Sequence, residues 1–133
     1  MTAASNYLEN KVLDHVLRVA SFTQPSGLWL ALFTGNPGET GSYANEIATS
    51  GTAYARQAIT FASASGGVSA NDATVTFPVA TSNWGTITHV AVVDNATRGA
   101  GNVLYYSAVT VAKSITTSDQ FQITSGNLTI SLD

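Results

Sequence analysis

The stretch that decides the fold is 84–94, WGTITHVAVVD, together with the turn 95–102, NATRGAGN, and the segment 103–111, VLYYSAVTV. The first segment becomes apolar on both faces towards Asp94, as is typical of a β-strand that enters a core. Asparagine and glycine between two such segments favour a reversal of the chain. We therefore predict that the two segments pair as a β-hairpin.

Further strands are predicted on both sides of this hairpin. The nearly continuous apolar run 27–35, GLWLALFTG, indicates a strand buried on both faces. In 73–79, ATVTFPV, apolar residues alternate with polar ones, and Pro78 marks the end or the edge of that strand because proline cannot donate to a sheet. Period-two or apolar segments also occur at 57–61, 120–124 and 128–132.

One helix is predicted, over residues 5–20 (SNYLENKVLDHVLRVA). Leu8, Val12, Val16 and Val19 recur at helical spacing and form an apolar stripe. Because an amphipathic helix needs an apolar surface to cover, we expect this helix to lie against the sheet.

The fold class that follows is mainly β: an antiparallel β-sandwich or flattened barrel of six or seven strands with one N-terminal amphipathic helix. The chain has 133 residues, the size of one compact domain. No repeat and no change of composition divides it. We expect a single domain over residues 1–133, with the helix at 5–20 and the sandwich at 27–133.

The charges exclude several classes of partner. Only 10% of the residues are charged, the net charge is −3, and the five basic residues are scattered. A nucleic-acid binder would instead carry a basic patch, so no direct contact with nucleic acid is expected.

No apolar run approaches the roughly 20 residues of a membrane span, and the chain has no cysteine for disulfides or thiolate metal sites.

The residues that usually carry chemistry are sparse. His15 and His89 are the only histidines, and their spacing to a carboxylate such as Asp94 matches no known ligand arrangement. No serine stands in G-x-S-x-G, and carboxylates such as Asp94 and Asp119 stand at predicted strand ends. We expect no catalytic residues, no metal site and no cofactor, and hence no enzyme.

Large aromatic side chains are the remaining candidates for function, because tyrosine and tryptophan are favoured at protein interfaces. Tyr43 lies in the long loop 35–51 and Tyr54 follows it, Arg56 comes two residues after Tyr54, and Trp84 opens the hairpin. We predict a partner interface that includes Tyr43, Tyr54, Arg56 and Trp84. Packing within the chain is the alternative for the two tyrosines, and for Arg56 a solvated side chain is favoured over a pair with a partner carboxylate.

The chain resembles a family of small tailed-phage structural proteins over nearly its whole length. The resemblance is carried, in order, by YLENKVLDHVLR, LWLALFTGNPGE, YARQAITF, TVTFPVATSNWGTITHVAVVD, LYYSAV and FQITSGNLTISLD. Members are described as tail-fibre or minor structural proteins, and some similar small β proteins decorate capsids. The resemblance implies a virion component, assembled in the cytoplasm of the bacterial host, and offers no catalytic motif.

Three functions are compatible with these features. The leading hypothesis is a capsid decoration (cement) protein that bridges capsid subunits, with the major capsid protein and further copies of itself, as a homotrimer, as partners. The first alternative is a tail component, in the tube, the baseplate or a fibre. The second alternative is a carbohydrate-binding module for adhesion to the host.

Overall fold

The computed structural model describes residues 2–132, so Met1 and Asp133, the ends of the predicted domain, lie outside the described part. The elements follow in the order β1 (Ala3–Ala4), α1 (Asn6–Val16), β2 (Trp29–Phe33), β3 (Gln57–Ala58), β4 (Val68–Ala70), β5 (Val75–Thr76), β6 (Gly85–Val93), β7 (Val103–Ile115), β8 (Gln122–Ile123) and β9 (Thr129–Ser131). The prediction of a mainly β fold with one N-terminal helix is confirmed.

The centre of the molecule is a five-stranded antiparallel sheet in the order β1-β7-β6-β2-β3. The predicted hairpin forms its core, since β6 pairs with β7 from Val93↔Val103 to Gly85↔Ile115. Strand β2 pairs along its whole length with β6, at the edge of β6 opposite to β7. The apolar run of β2 is thereby placed in the middle of the sheet, and four of its five residues are buried.

Each face of this sheet supports its own apolar cluster, because neighbouring residues of a strand point to opposite sides. Leu30, Leu32, Val90 and Val92 belong to the larger cluster, which also holds Phe77. On the opposite face, the smaller cluster is formed by Ala31, Phe33, Ala91, Val93 and Val103.

A second layer covers the face of the larger cluster. It contains two short antiparallel ladders, β4 with β9 and β5 with β8. Val75 of β5, together with Phe77, Phe121 and Leu128, packs against the sheet. Strand β5 ends at Thr76, two residues before Pro78, as the missing proline donor predicts.

Strand β7 carries a wide irregularity in its second half. Ala108 lies opposite His89 and Lys113 lies opposite Ile87, so the four residues 109–112 face the single residue Thr88. A bulge of this kind bends a strand away from its neighbour. Residues 110–114 are consequently exposed although they belong to the longest strand.

The helix differs from its prediction in length and in surroundings. It runs from Asn6 to Val16 rather than from 5 to 20, and Ser5 caps it by accepting a hydrogen bond from the backbone N–H of Leu8. It ends because Arg18 adopts a left-handed backbone with φ of 65°, and the carbonyl of Asp14 accepts from the N–H of Val19.

The expectation that the apolar stripe of this helix packs on the sheet is wrong for its second half. Leu8 is the one buried residue of the helix, whose first turn is fixed to β7 through Ser5. Val12 is half-buried and Val16 and Val19 are exposed. Within residues 2–132, no helix is long and apolar enough to cross a membrane.

Candidate interaction surfaces

Tyr54 and Trp84 lie in the interior of the chain. Tyr54 is 3% exposed; its hydroxyl donates to the carboxylate of Glu46 (2.8 Å) and accepts from the N–H of Leu32 (3.1 Å). Trp84 packs edge-on against the Tyr54 ring at 5.5 Å and donates from Nε1 to the carbonyl of Thr52 (2.7 Å). Burial, followed by the nearby charge of Glu46, raises the pKa of Tyr54 far above its usual value.

Arg56 is 6% exposed, so the expectation of a solvated arginine is wrong. Its guanidinium binds the carboxylate of Glu46 with two parallel hydrogen bonds, from Nε and from Nη2, both 2.8 Å long. Its remaining nitrogen, Nη1, donates to the carbonyls of Asn95 and Ala100. Burial alone would lower the pKa of Arg56, but the hydrogen bonds and the charge of Glu46 outweigh burial and raise it.

Tyr43 is the half-buried member of the predicted interface. Its ring stacks on Phe33 at 6.4 Å, and the guanidinium of Arg56 lies over it at 4.9 Å from the ring centroid. Its hydroxyl donates to the carbonyl of Gly101 (2.9 Å). Burial raises the pKa of Tyr43, and the positive charge of Arg56 opposes that rise.

Glu46 unites these residues into one polar cluster, which we call the Glu46 clamp (Tyr43, Glu46, Tyr54 and Arg56). The carboxylate accepts four hydrogen bonds, the fourth from the N–H of Gly99. The clamp therefore ties the long connection 34–56 to the turn between β6 and β7. Arg98 strengthens this link by donating to the carbonyls of Glu46 and Ile47.

The structure thus gives Tyr43, Tyr54, Arg56 and Trp84 partners inside the chain, and brings all but Trp84 into the clamp. A contact between any of them and another protein stays a prediction. Sequence reasoning singled out Arg56 but missed Glu46, its partner ten residues earlier. A lone glutamate in a loop gives no local signal of burial. Its hydrogen-bond partners come close to it only when the loop folds back.

The histidines and acidic residues considered for chemistry lie apart. His89 is half-buried in β6 with its Nδ1 2.9 Å from the hydroxyl of Thr88, and His15 accepts from the N–H of Phe22 at 3.0 Å. Asp94 accepts from the backbone and side chain of Asn102. Hydrogen bonds from Thr116 lower the pKa of the exposed Asp119. Among the described residues, no three potential metal ligands form a group that could hold an ion.

A groove opens where the bulge of β7 moves away from β6. We call it the β7 groove; it has a volume of about 480 Å³ and lies between β7 and residues 121–129. Its apolar walls include Val90, Val109, Val111, Ile123 and Leu128. Threonine, glutamine and asparagine side chains form the polar part, and Lys113 is the one charged residue that lines it within 2–132.

The second surface is the exposed apolar side of the helix. We call it the helix patch; it consists of Leu13, Val16 and Leu17 with Val19 just beyond the helix, and these side chains are 55–74% exposed. They are half of the large apolar residues that the described chain exposes. An exposed apolar cluster of this kind marks a contact surface more often than scattered single residues do.

The fold and these two surfaces define a small, mainly β protein in which the β7 groove and the helix patch are open to contact. The comparison with protein families places it more closely: residues 3–131 match the model of a family described as "Podophage GP4 fiber I protein gp80". The chain belongs to this family, and it is therefore a small structural protein of a tailed phage and a component of the virion. No curated protein matches the sequence.

Proposed function

We propose that the chain is a building block of a podophage tail fibre, which acts by binding copies of itself and other virion proteins and performs no reaction. The observation that supports this role most strongly is the match to a fibre family over residues 3–131, nearly the whole chain. The match favours the tail alternative over capsid decoration, the role expected first from the sequence. A carbohydrate-binding module stays a sequence-based alternative.

The contacts within the chain are compatible with such a role. In the Glu46 clamp, a buried ion pair with a salt-bridge distance of 2.8 Å fixes the long connection to the end of the sheet. The carboxylate of Glu46 already accepts four hydrogen bonds, so its lone pairs are used in contacts that stabilise the fold. The clamp thereby holds the long connection in one conformation, and fixed surfaces lose less entropy on binding than mobile ones.

A fibre needs only modest contacts between its subunits. Repetition along an assembly converts weak single contacts into strong overall attachment, because each later contact forms at a high effective concentration. The small size of the chain and its low charge suit repeated use of apolar surfaces. We accordingly propose self-association and contact with neighbouring tail proteins as the protein's partners.

Copy number in purified particles tests the fibre role. Quantitative peptide mass spectrometry would give the ratio of this chain to the major capsid protein. A tail fibre predicts a small fraction of the number of capsid subunits, because fibres surround a single vertex. A number of copies comparable with that of the capsid subunits would contradict the proposal and support decoration of the shell.

A further inference from the structure

We propose that the helix patch of one copy docks into the β7 groove of a second copy, so that the chains associate head to tail. This contact deepens the proposed fibre role by naming the two surfaces through which copies meet. It makes no use of the position of the protein in the particle, so the copy-number test and the test below can fail independently.

Apolar side chains stand on both surfaces. Leu13, Val16 and Leu17 stand at positions i, i+3 and i+4, the spacing with which an amphipathic helix enters an apolar groove. The apolar part of the β7 groove is formed by valine, isoleucine and leucine side chains next to the larger apolar cluster, and its polar part by threonine, glutamine and asparagine side chains. Exposed Val111, 69% accessible, stands at its rim. Docking would remove the exposed side chains of the patch and of Val111 from water.

The charges of the two surfaces are also complementary. Glu9 precedes Leu13 by four residues and Val16 by seven, so its carboxylate lies on the same side of the helix as the patch. The groove carries one cation, Lys113, and no carboxylate among its lining residues. The carboxylate of Glu9 can therefore pair with Lys113 of a second copy, which supplies both halves of the contact.

A helix patch does not fill the groove of its own chain. Ser5 fixes the start of the helix to the backbone of Val103 and Leu104, at the beginning of β7. The groove begins beyond Tyr106, along the bulged half of the same strand. Because the two surfaces are different parts of one molecule, the contact is heterologous, and it generates either a closed ring or an open chain.

Sedimentation of the purified full-length chain over a range of concentrations tests the contact. We expect the mass of the wild type to rise with concentration. Leu17→Asp in the patch and Val111→Asp in the groove should each weaken association by at least about tenfold, since each places a strongly hydrated carboxylate in the apolar contact. Val79→Asp is the matched control, because Val79 is exposed (49%) and belongs to neither surface.

A mixture of the two variants identifies the head-to-tail geometry. The Val111→Asp chain keeps an intact patch and the Leu17→Asp chain keeps an intact groove, so the mixture should form a one-to-one complex that grows no further. Glu9→Lys and Lys113→Glu should each weaken association a few-fold, and both changes in one chain should restore it. Circular dichroism and thermal unfolding of each variant show that the fold is retained.

Three results would overturn the proposal. The first is a wild type that stays monomeric at every concentration. The second is an association that Leu17→Asp abolishes but Val111→Asp leaves intact, which would indicate that two helix patches pair symmetrically. The third is a mixture of the two folded variants that forms no complex.

Discussion

Glu46 accepts hydrogen bonds from Tyr54, from two nitrogens of Arg56 and from the N–H of Gly99, in a loop with no regular secondary structure. Both charged groups of the ion pair are fully buried. A buried pair of this kind contributes little relative to an apolar pair, but the loss of one partner leaves the other charge without compensation. The stability of the long connection therefore depends strongly on this one carboxylate.

Glu46→Gln should lower the free energy of unfolding by about 3 kcal/mol. The amide keeps the size of the side chain but removes its charge and turns one acceptor into a donor that faces the guanidinium of Arg56. Urea denaturation measures the change. Glu39→Gln serves as the control, since Glu39 is exposed, and should change stability by less than about 0.5 kcal/mol. Equal stabilities of the two variants would show that the ion pair does not hold the loop.

At the scale of elements, the turn between β6 and β7 is set by local backbone geometry. Asp94 accepts from the N–H of Asn102 at 2.7 Å and from its side-chain amide at 3.0 Å, which closes the turn. Gly99 and Gly101 both have left-handed backbones, with φ of 76° and 78°. Only Gly101 is also crowded, because an added Cβ would lie 2.5 Å from Asn95 and from Asp94.

Alanine substitutions separate the two effects. Gly99→Ala should cost about 1 kcal/mol, since alanine strains a left-handed backbone but meets open space. Gly101→Ala should cost at least about 2 kcal/mol, since the strain is joined by the clash with Asp94 and Asn95. Chemical denaturation of both variants gives the comparison. Similar losses for the two would mean that crowding at Gly101 does not constrain the turn.

The elements also show what sequence patterns could predict. The apolar runs in 84–94 and 27–35 predicted β6 and β2, because a strand that is buried on both faces consists almost entirely of apolar residues. The helix was predicted too long, since the apolar stripe continues to Val19 while the backbone turns at Arg18. Amphipathic spacing shows that a face is apolar, but it does not say which surface covers it.

At the scale of the whole molecule, the central sheet separates two apolar clusters and presents different features at its two ends. The Glu46 clamp ties the long connection to the turn after β6, while the bulge of β7 opens the groove. Neither feature has a local sequence signal, because each joins residues far apart in the chain: Glu46 accepts from Gly99, and the groove is lined by both Val90 and Leu128. The low charge and the absence of cysteine excluded a nucleic-acid binder and thiolate metal sites, whereas the class of protein was indicated by the resemblance of sequence blocks along nearly the whole chain.

The position of the chain in the intact particle tests the central claim most directly. A reconstruction of virions labelled with an antibody fragment against this chain would show where the label binds. We predict label on appendages around the tail vertex and none over the rest of the head. Label spread over the icosahedral shell, with the tail unlabelled, would contradict the account.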